Sequence, residues 1–154
     1  MYRHILLPVD GSEASRQAVQ AGIRLAAAGG GRVTALHVIP TVRHDLLEAW
    51  AHEDPDYERR RHALLSRFAD AWLSAAERAA AAAGVACTRD RQDGTAHRVI
   101  VARALQLECD LIFMASHGWS GGDLELLGSE TLKVLLHSQV PVLVHKAHAG
   151  AGAA

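Results

Sequence analysis

The chain has 154 residues, 49% of them hydrophobic and 21% charged, and a formal net charge of −1. That length suits one domain with a real core, and so balanced a charge gives no field to draw in nucleic acid or an anionic membrane surface. No apolar run approaches the roughly 18 residues that span a bilayer, and MYRHILLPVD lacks the layout of a signal peptide, so a cytoplasmic protein with neither nucleic acid nor membrane as partner is expected.

Residues 5–9 (ILLPV) are a short apolar run ended by Asp10-Gly11-Ser12. They predict a buried strand that stops near Pro8, whose nitrogen cannot donate to a ladder. Ser12 is placed to cap a helix in which Val19, Gly22, Ile23 and Ala26 recur at helical spacing, until Gly29-Gly30-Gly31 stops it. A second strand is expected over 32–39, closed by Pro40, and then a polar excursion over one end of the sheet at 40–56. A long helix follows, with Leu65, Phe68, Trp72, Ala76, Ala79 and Ala83 as one apolar stripe and Gly84 as its C-terminal cap. Arg59-Arg60-Arg61 at its start reads as a solvated helix face.

Residues 85–88 predict a short third strand, and Ile100, Ala104 and Leu107 mark a third helix. A fourth strand is expected over 111–115. Leu132, Leu135 and Leu136 mark a fourth helix beginning near Ser129, and 140–144 form the last strand. The Ala/Gly tail at 147–154 is expected to be disordered, leaving 1–146 as a single domain. Cys87 and Cys109 lie in or beside apolar runs, outside any C-x-x-C pattern, and read as small buried side chains.

Strand and helix alternate throughout. That pattern specifies an α/β fold with a parallel sheet and helices on both faces, because parallel neighbours need crossover connections. Ligands of such sheets bind beyond the carboxyl ends of the strands, where the strand order reverses. Two polar, glycine-bearing turns follow strand carboxyl ends here: Asp10-Gly11-Ser12 and the loop at 116–129, SHGWSGGDLELLGS.

The loop admits several chemistries. Gly118-Trp119-Ser120-Gly121-Gly122 fits the G-x-S-x-G of a hydrolase elbow, but the only later aspartate, Asp123, is too near to orient a distant histidine. Ser120-Gly121-Gly122-Asp123 resembles a pyrophosphatase loop, with the acid one place early and the loop after the wrong strand. A Walker loop lacks the lysine before Gly128-Ser129. A phosphate cradle asks for less: glycines for close backbone approach, and a helix start whose first N–H groups are unpaired and partly positive. A connector that binds nothing stays open beside it.

These residues resemble the universal stress protein family, whose nucleotide motif is G-x-x-G, nine residues, then G-S/T. Ala115-Ser116-His117-Gly118 holds the first part and Gly128-Ser129 the last, and ILLPVDGSE, ALHVIP, CDLIFMASHG, LLGSETLKVL and VPVLV extend the resemblance over nearly the whole chain. It implies an open five-stranded parallel sheet, Rossmann-like, of order 3-2-1-4-5. It implies that Asp10, with Pro8 and Val9 beside it, contacts the nucleoside and that Val38 packs against adenine. Met114, Ala115 and Gly118 match the ribose and phosphate wall. Gly128, Ser129 and Glu130 match the helix start that holds outer phosphates, with Mg or Mn held by the phosphates. His117, next to the cradle, is a candidate phosphate contact.

Ala115 replaces the family's first glycine, and Trp119 stands where the family often carries arginine or lysine. His37, inside an apolar strand, reads as a satisfied core residue, His145 and His148 read as solvated, and the ten histidines form no metal-ligand constellation. The expected function is binding of ATP, ADP or AMP as a stress-response sensor or regulatory module. No nucleophile or general base with an orienting partner is evident beside the phosphates, so at most slow ATP hydrolysis is expected. The alternatives are a member that acts through protein contacts alone and a slow ATP hydrolase of the same superfamily. Fifth strands lie at the sheet edge in this family, and an apolar edge at Val142, Leu143 and Val144 implies a homodimer.

Overall fold

The computed structural model describes residues 1–41, 56–118 and 127–147. In chain order these form β1 (His4–Pro8), α1 (Glu13–Gly29), β2 (Arg32–Pro40), α2 (Tyr57–Ala82), β3 (Cys87–Gly94), α3 (Ala96–Gln106), β4 (Leu111–Ala115), α4 (Ser129–His137) and β5 (Val142–His145). The five strands make one parallel sheet of order β3-β2-β1-β4-β5. The order reverses between β1 and β4, so both turns singled out above leave the sheet at its switch point.

The apolar runs of β1 and β4 have a simple cause: both strands are central and covered on both faces. Alternation sends Ile5, Leu7, Leu111 and Phe113 into a cluster with Ala18, Ile23, Leu73 and Ala80 of α1 and α2. It sends Leu6, Ile112 and Met114 into a second cluster with Ile100, Ala104 and Val134 of α3 and α4. Each fully buried leucine or isoleucine contributes about 1.5–3 kcal/mol to holding the two layers on the sheet.

The predicted helix signals act as expected. Ser12 accepts the N–H of Ser15 at 3.1 Å as the cap of α1. Gly30, at φ +65°, ends that helix, and the Gly31 N–H donates back to the Ala26 carbonyl. Gly84, at φ +70°, likewise follows α2.

Four expectations change. The third strand is not the short 85–88 segment but Cys87–Gly94, paired with β2 along its whole length from Val33↔Cys87 to Pro40↔Gly94. Its sequence, CTRDRQDG, hid it, because an edge strand needs few apolar residues when flanking helices satisfy its polar ones. Arg89 pairs with Glu77 and Arg91 with Asp70, both on α2, while the buried Asp90 accepts Arg103 of α3 at 2.7 Å. The stripe of α2 is turned: Ala69, Leu73, Ala76 and Ala80 are buried, Trp72 flanks them, and Phe68 is 47% exposed while stacking on Trp72. In an alanine-rich helix several apolar stripes overlap, and the smallest one lets the helix approach the sheet most closely.

On α4, Thr131 and Val134 are buried while Leu132, Leu135 and Leu136 are exposed. His145 is not solvated; it ends β5 half-buried, its ring 6.0 Å from that of Phe113. Of the basic triplet, Arg59 and Arg60 are exposed, with Arg59 paired to Asp56, whereas Arg61 is half-buried, pairing with Glu58 and donating to the Pro40 carbonyl at 3.1 Å.

Both cysteines are free, and burial pushes the Cys109 thiol up to about 11. Ala147, assigned to the tail, is half-buried against the α1 side of the core. The excursion at 42–55, the remainder of the tail, His148, and residues 119–126 with Trp119, Ser120 and Asp123 lie outside the described residues.

Candidate functional site

A cleft of about 350 Å³ opens beyond the carboxyl ends of the central strands. β1 contributes Pro8 and the following Val9 and Asp10; β2 contributes Leu36, His37 and Val38; β4 contributes Met114 and Ala115, followed by His117 and Gly118. The far wall is the start of α4, Gly128 to Thr131, with Ala96 and Ile100 of α3 closing the side. All eleven residues singled out from the sequence line this one cleft. The structure adds Ser15, Leu36, His37, Ala96, Ile100 and Thr131, none of which the sequence analysis singled out as a ligand contact.

Short-range bonds fix each wall. The Asp10 Oδ1 accepts the Ser12 N–H at 2.8 Å, and the Asp10 N–H donates to the Ser15 hydroxyl at 3.1 Å, so the turn is braced from both sides. Gly118 packs onto this acid: a Cβ there would lie 2.5 Å from Asp10 Oδ2, so a side chain at 118 would force the carboxylate to shift. The ends of the 116–129 loop are pinned together by the Gly128 N–H, which donates to the Ser116 carbonyl at 2.7 Å. Thr131 Oγ1 donates to the Ala115 carbonyl at 3.0 Å, tying α4 to the end of β4. Gly128, the cap residue of α4, has no side chain with which to cap it, so the first turn of that helix borders the cleft with polarised N–H groups.

The substitution of alanine for the first motif glycine has a structural answer. Ala115 continues the alternation of β4, and its methyl packs in the α1-side cluster, whereas Met114 faces the α3 side from which the cleft is carved. The extra methyl is therefore accommodated in that cluster, while Ala115 still borders the cleft.

His37 is a satisfied core residue, as its place in the strand predicts, and it also borders the cleft. Its Nδ1–H donates to the Val9 carbonyl at 2.6 Å, and its ring meets Trp72 edge-on at 5.2 Å. Glu130 is the most engaged polar side chain of the wall. Its Oε2 accepts both the backbone N–H of His97 (2.9 Å) and the His97 Nδ1–H (3.0 Å), and its Oε1 accepts Lys133 (3.0 Å). Burial pushes this carboxyl up, but the bonds from Lys133 and His97 outweigh that and hold it below the ordinary value. The Ser116 hydroxyl and His117 Nδ1 are 3.0 Å apart, yet Ser116 is buried, so the pair does not present a nucleophile to the cleft.

This architecture has known counterparts. The universal stress protein family matches residues 1–146. The chain belongs to the universal stress protein family. Among curated relatives it is similar to Universal stress protein MJ0531 of Methanocaldococcus jannaschii, at 29% identity over 95% of this chain and 83% of the relative. Among solved structures, the hypothetical protein MJ0577 superposes with a TM-score of 0.80 at 28% identity, covering 96% of this chain and 98% of that one. A universal stress protein in complex with cAMP superposes with a TM-score of 0.68 at 24% identity, covering 95% and 99%. The universal stress fold thus accounts for the sheet order. No helix among the described residues is long and apolar enough to cross a membrane.

Proposed function

We infer that this universal stress protein binds an adenine nucleotide (ATP, ADP or AMP) in the cleft between β1, β4 and α4 and acts as a cytoplasmic stress-response sensor rather than as a catalyst of rapid turnover. The observation that carries the reading is the juxtaposition of an apolar slot, formed by Val38, Ile100 and Met114, with a helix start at Gly128 and Ser129 in the same 350 Å³ space. The slot suits a flat base, Asp10 is placed for ribose or base hydroxyl and amino groups, and the helix start suits a phosphate. The fold shared with the cAMP complex is consistent with this, while the ligand class rests on the chain's own cleft. Mg or Mn fits as an ion held by the phosphates, because the wall offers the carboxylates of Asp10 and Glu130 and no three-ligand His, Cys, Asp or Glu group occurs among the described residues. Among the described residues no positioned nucleophile or base lines the phosphate end, which favours slow turnover at most.

The reading treats residues 1–146 as one functional unit that pairs with a second copy through β5. β5 is an edge strand, Leu143 is 38% exposed, and Leu132, Leu135 and Leu136 of α4 are exposed as well. The deciding experiment is to denature the purified protein and identify any released nucleotide by mass. Near one adenine nucleotide per chain supports the reading. None released, together with no rise in melting temperature at millimolar MgATP, favours action through protein contacts alone.

A further inference from the structure

The cleft is unusual for a phosphate site in what lines it. Among the described residues its charged side chains are Asp10 and Glu130, and no lysine or arginine reaches the lining. The nearby cation, Lys133, is bonded to Glu130 at 3.0 Å and is thereby directed to that carboxylate.

Helix starts are the other source of positive potential, and three of them border the cleft; that of α1 is already capped, the Ser12 hydroxyl accepting the Ser15 N–H. The start of α3 is already taken: Glu130 accepts the His97 N–H, so the chain's own carboxylate occupies the place an anion would seek. The start of α4 at Gly128 and Ser129 remains. One helix start carries a partial charge equivalent to roughly half a unit, enough to favour one phosphate group. A triphosphate brings further negative charge towards Glu130, which its hydrogen bonds keep ionised.

We propose that the cleft selects for low anionic charge, with Glu130 as the residue that turns added phosphates away: it takes an adenine nucleoside monophosphate unaided and a triphosphate only together with a divalent cation. The selection rests on the adenine-nucleotide reading above. AMP carries about two negative charges and ATP about twice that. Glu130 is partly exposed and shares Lys133, so each added phosphate charge brought towards it weakens binding by about three- to tenfold. A divalent ion on the phosphates removes that penalty and gives the carboxylates a favourable partner.

The test is calorimetric titration of the full chain with AMP and with ATP, first in EDTA and then in excess Mg²⁺. In EDTA, AMP should bind at least about tenfold tighter than ATP; Mg²⁺ should tighten ATP by a similar factor and AMP by less than about twofold. Glu130→Gln keeps a carbonyl oxygen to accept the His97 N–H and releases Lys133. It should narrow the AMP-to-ATP ratio in EDTA to within about threefold. Equal AMP and ATP affinities in EDTA overturn the selection and leave the adenine-nucleotide reading standing. An unchanged ratio in Glu130→Gln overturns the role given to Glu130. No binding of either nucleotide under either condition overturns both readings.

Discussion

Asp10 and His4 sit at opposite ends of the sheet and illustrate two kinds of polar residue. Asp10 stands at the carboxyl end, where its carboxylate braces the turn through the Ser12 N–H and borders the cleft. Asp10→Ala should weaken nucleotide binding by about 1.5–3 kcal/mol, the range for a hydrogen bond to a charged group. Unaltered affinity in the folded variant, measured by calorimetry, would place the nucleoside elsewhere. His4 is buried at the amino end, with Nε2 2.8 Å from Thr34 Oγ1. Burial, helped by the charge of Arg32, lowers its pKa below the usual histidine value. A histidine whose folded pKa is depressed contributes stability that is complete above its unfolded pKa of about 6.5 and is lost as pH falls through the lower folded value. Urea unfolding from pH 7.5 downward should therefore show stability falling below about pH 6.5, with a shallower fall in His4→Gln. Parallel profiles for the two proteins would remove His4 as the cause.

At the scale of elements, α4 and β5 carry more exposed apolar surface than their sequence pattern suggests. Leu136 is 70% exposed, and Leu132, Leu135 and Leu143 are also exposed. An open strand edge beside such side chains is an aggregation hazard that a two-fold pairing of identical edges removes. Leu143→Lys places a charge on that edge at a position whose side chain already reaches solvent, so the fold should tolerate it. Light scattering should give a dimer mass for the wild type and a shift towards monomer for the variant. A monomeric wild type, or an unshifted variant, would rule out this edge as the interface.

For the molecule as a whole, ligand and fold are coupled, because the cleft walls come from three strands and three helices that the unfolded chain does not bring together. A nucleotide at about one hundred times its dissociation constant should stabilise the protein by about 2.7 kcal/mol. For a chain of this size that raises the melting temperature by about 5–10 °C. A shift of that size with MgATP and none with a non-nucleotide polyphosphate would place the recognition in the nucleoside slot. Equal shifts with both would reduce the site to a phosphate cradle.

The order of strands and helices, their caps and the place of the cleft were legible from local pattern. Central strands must be apolar on both faces, Ser12 and Gly84 punctuate helices by their own chemistry, and glycines mark where backbone must come close. The resemblance to the family pattern pointed to Asp10, Gly118 and Gly128, and the structure packs Gly118 directly on the Asp10 carboxylate. Tertiary structure decided what local pattern leaves degenerate. β3 is an eight-residue strand of charged sequence because β2 and the helices on either side satisfy it. The stripe of α2 turned to its smallest alanines because close approach to the sheet outweighed the larger buried area that Phe68 offered. Ser15, Ala96 and Ile100 joined the cleft only through the crossover of the chain, and Glu130 turned from a bare helix-start acid into a carboxylate shared with His97, 33 residues away in sequence. Sequence spacing carries the periodicity of each element, whereas such pairings depend on how the elements are laid against one another.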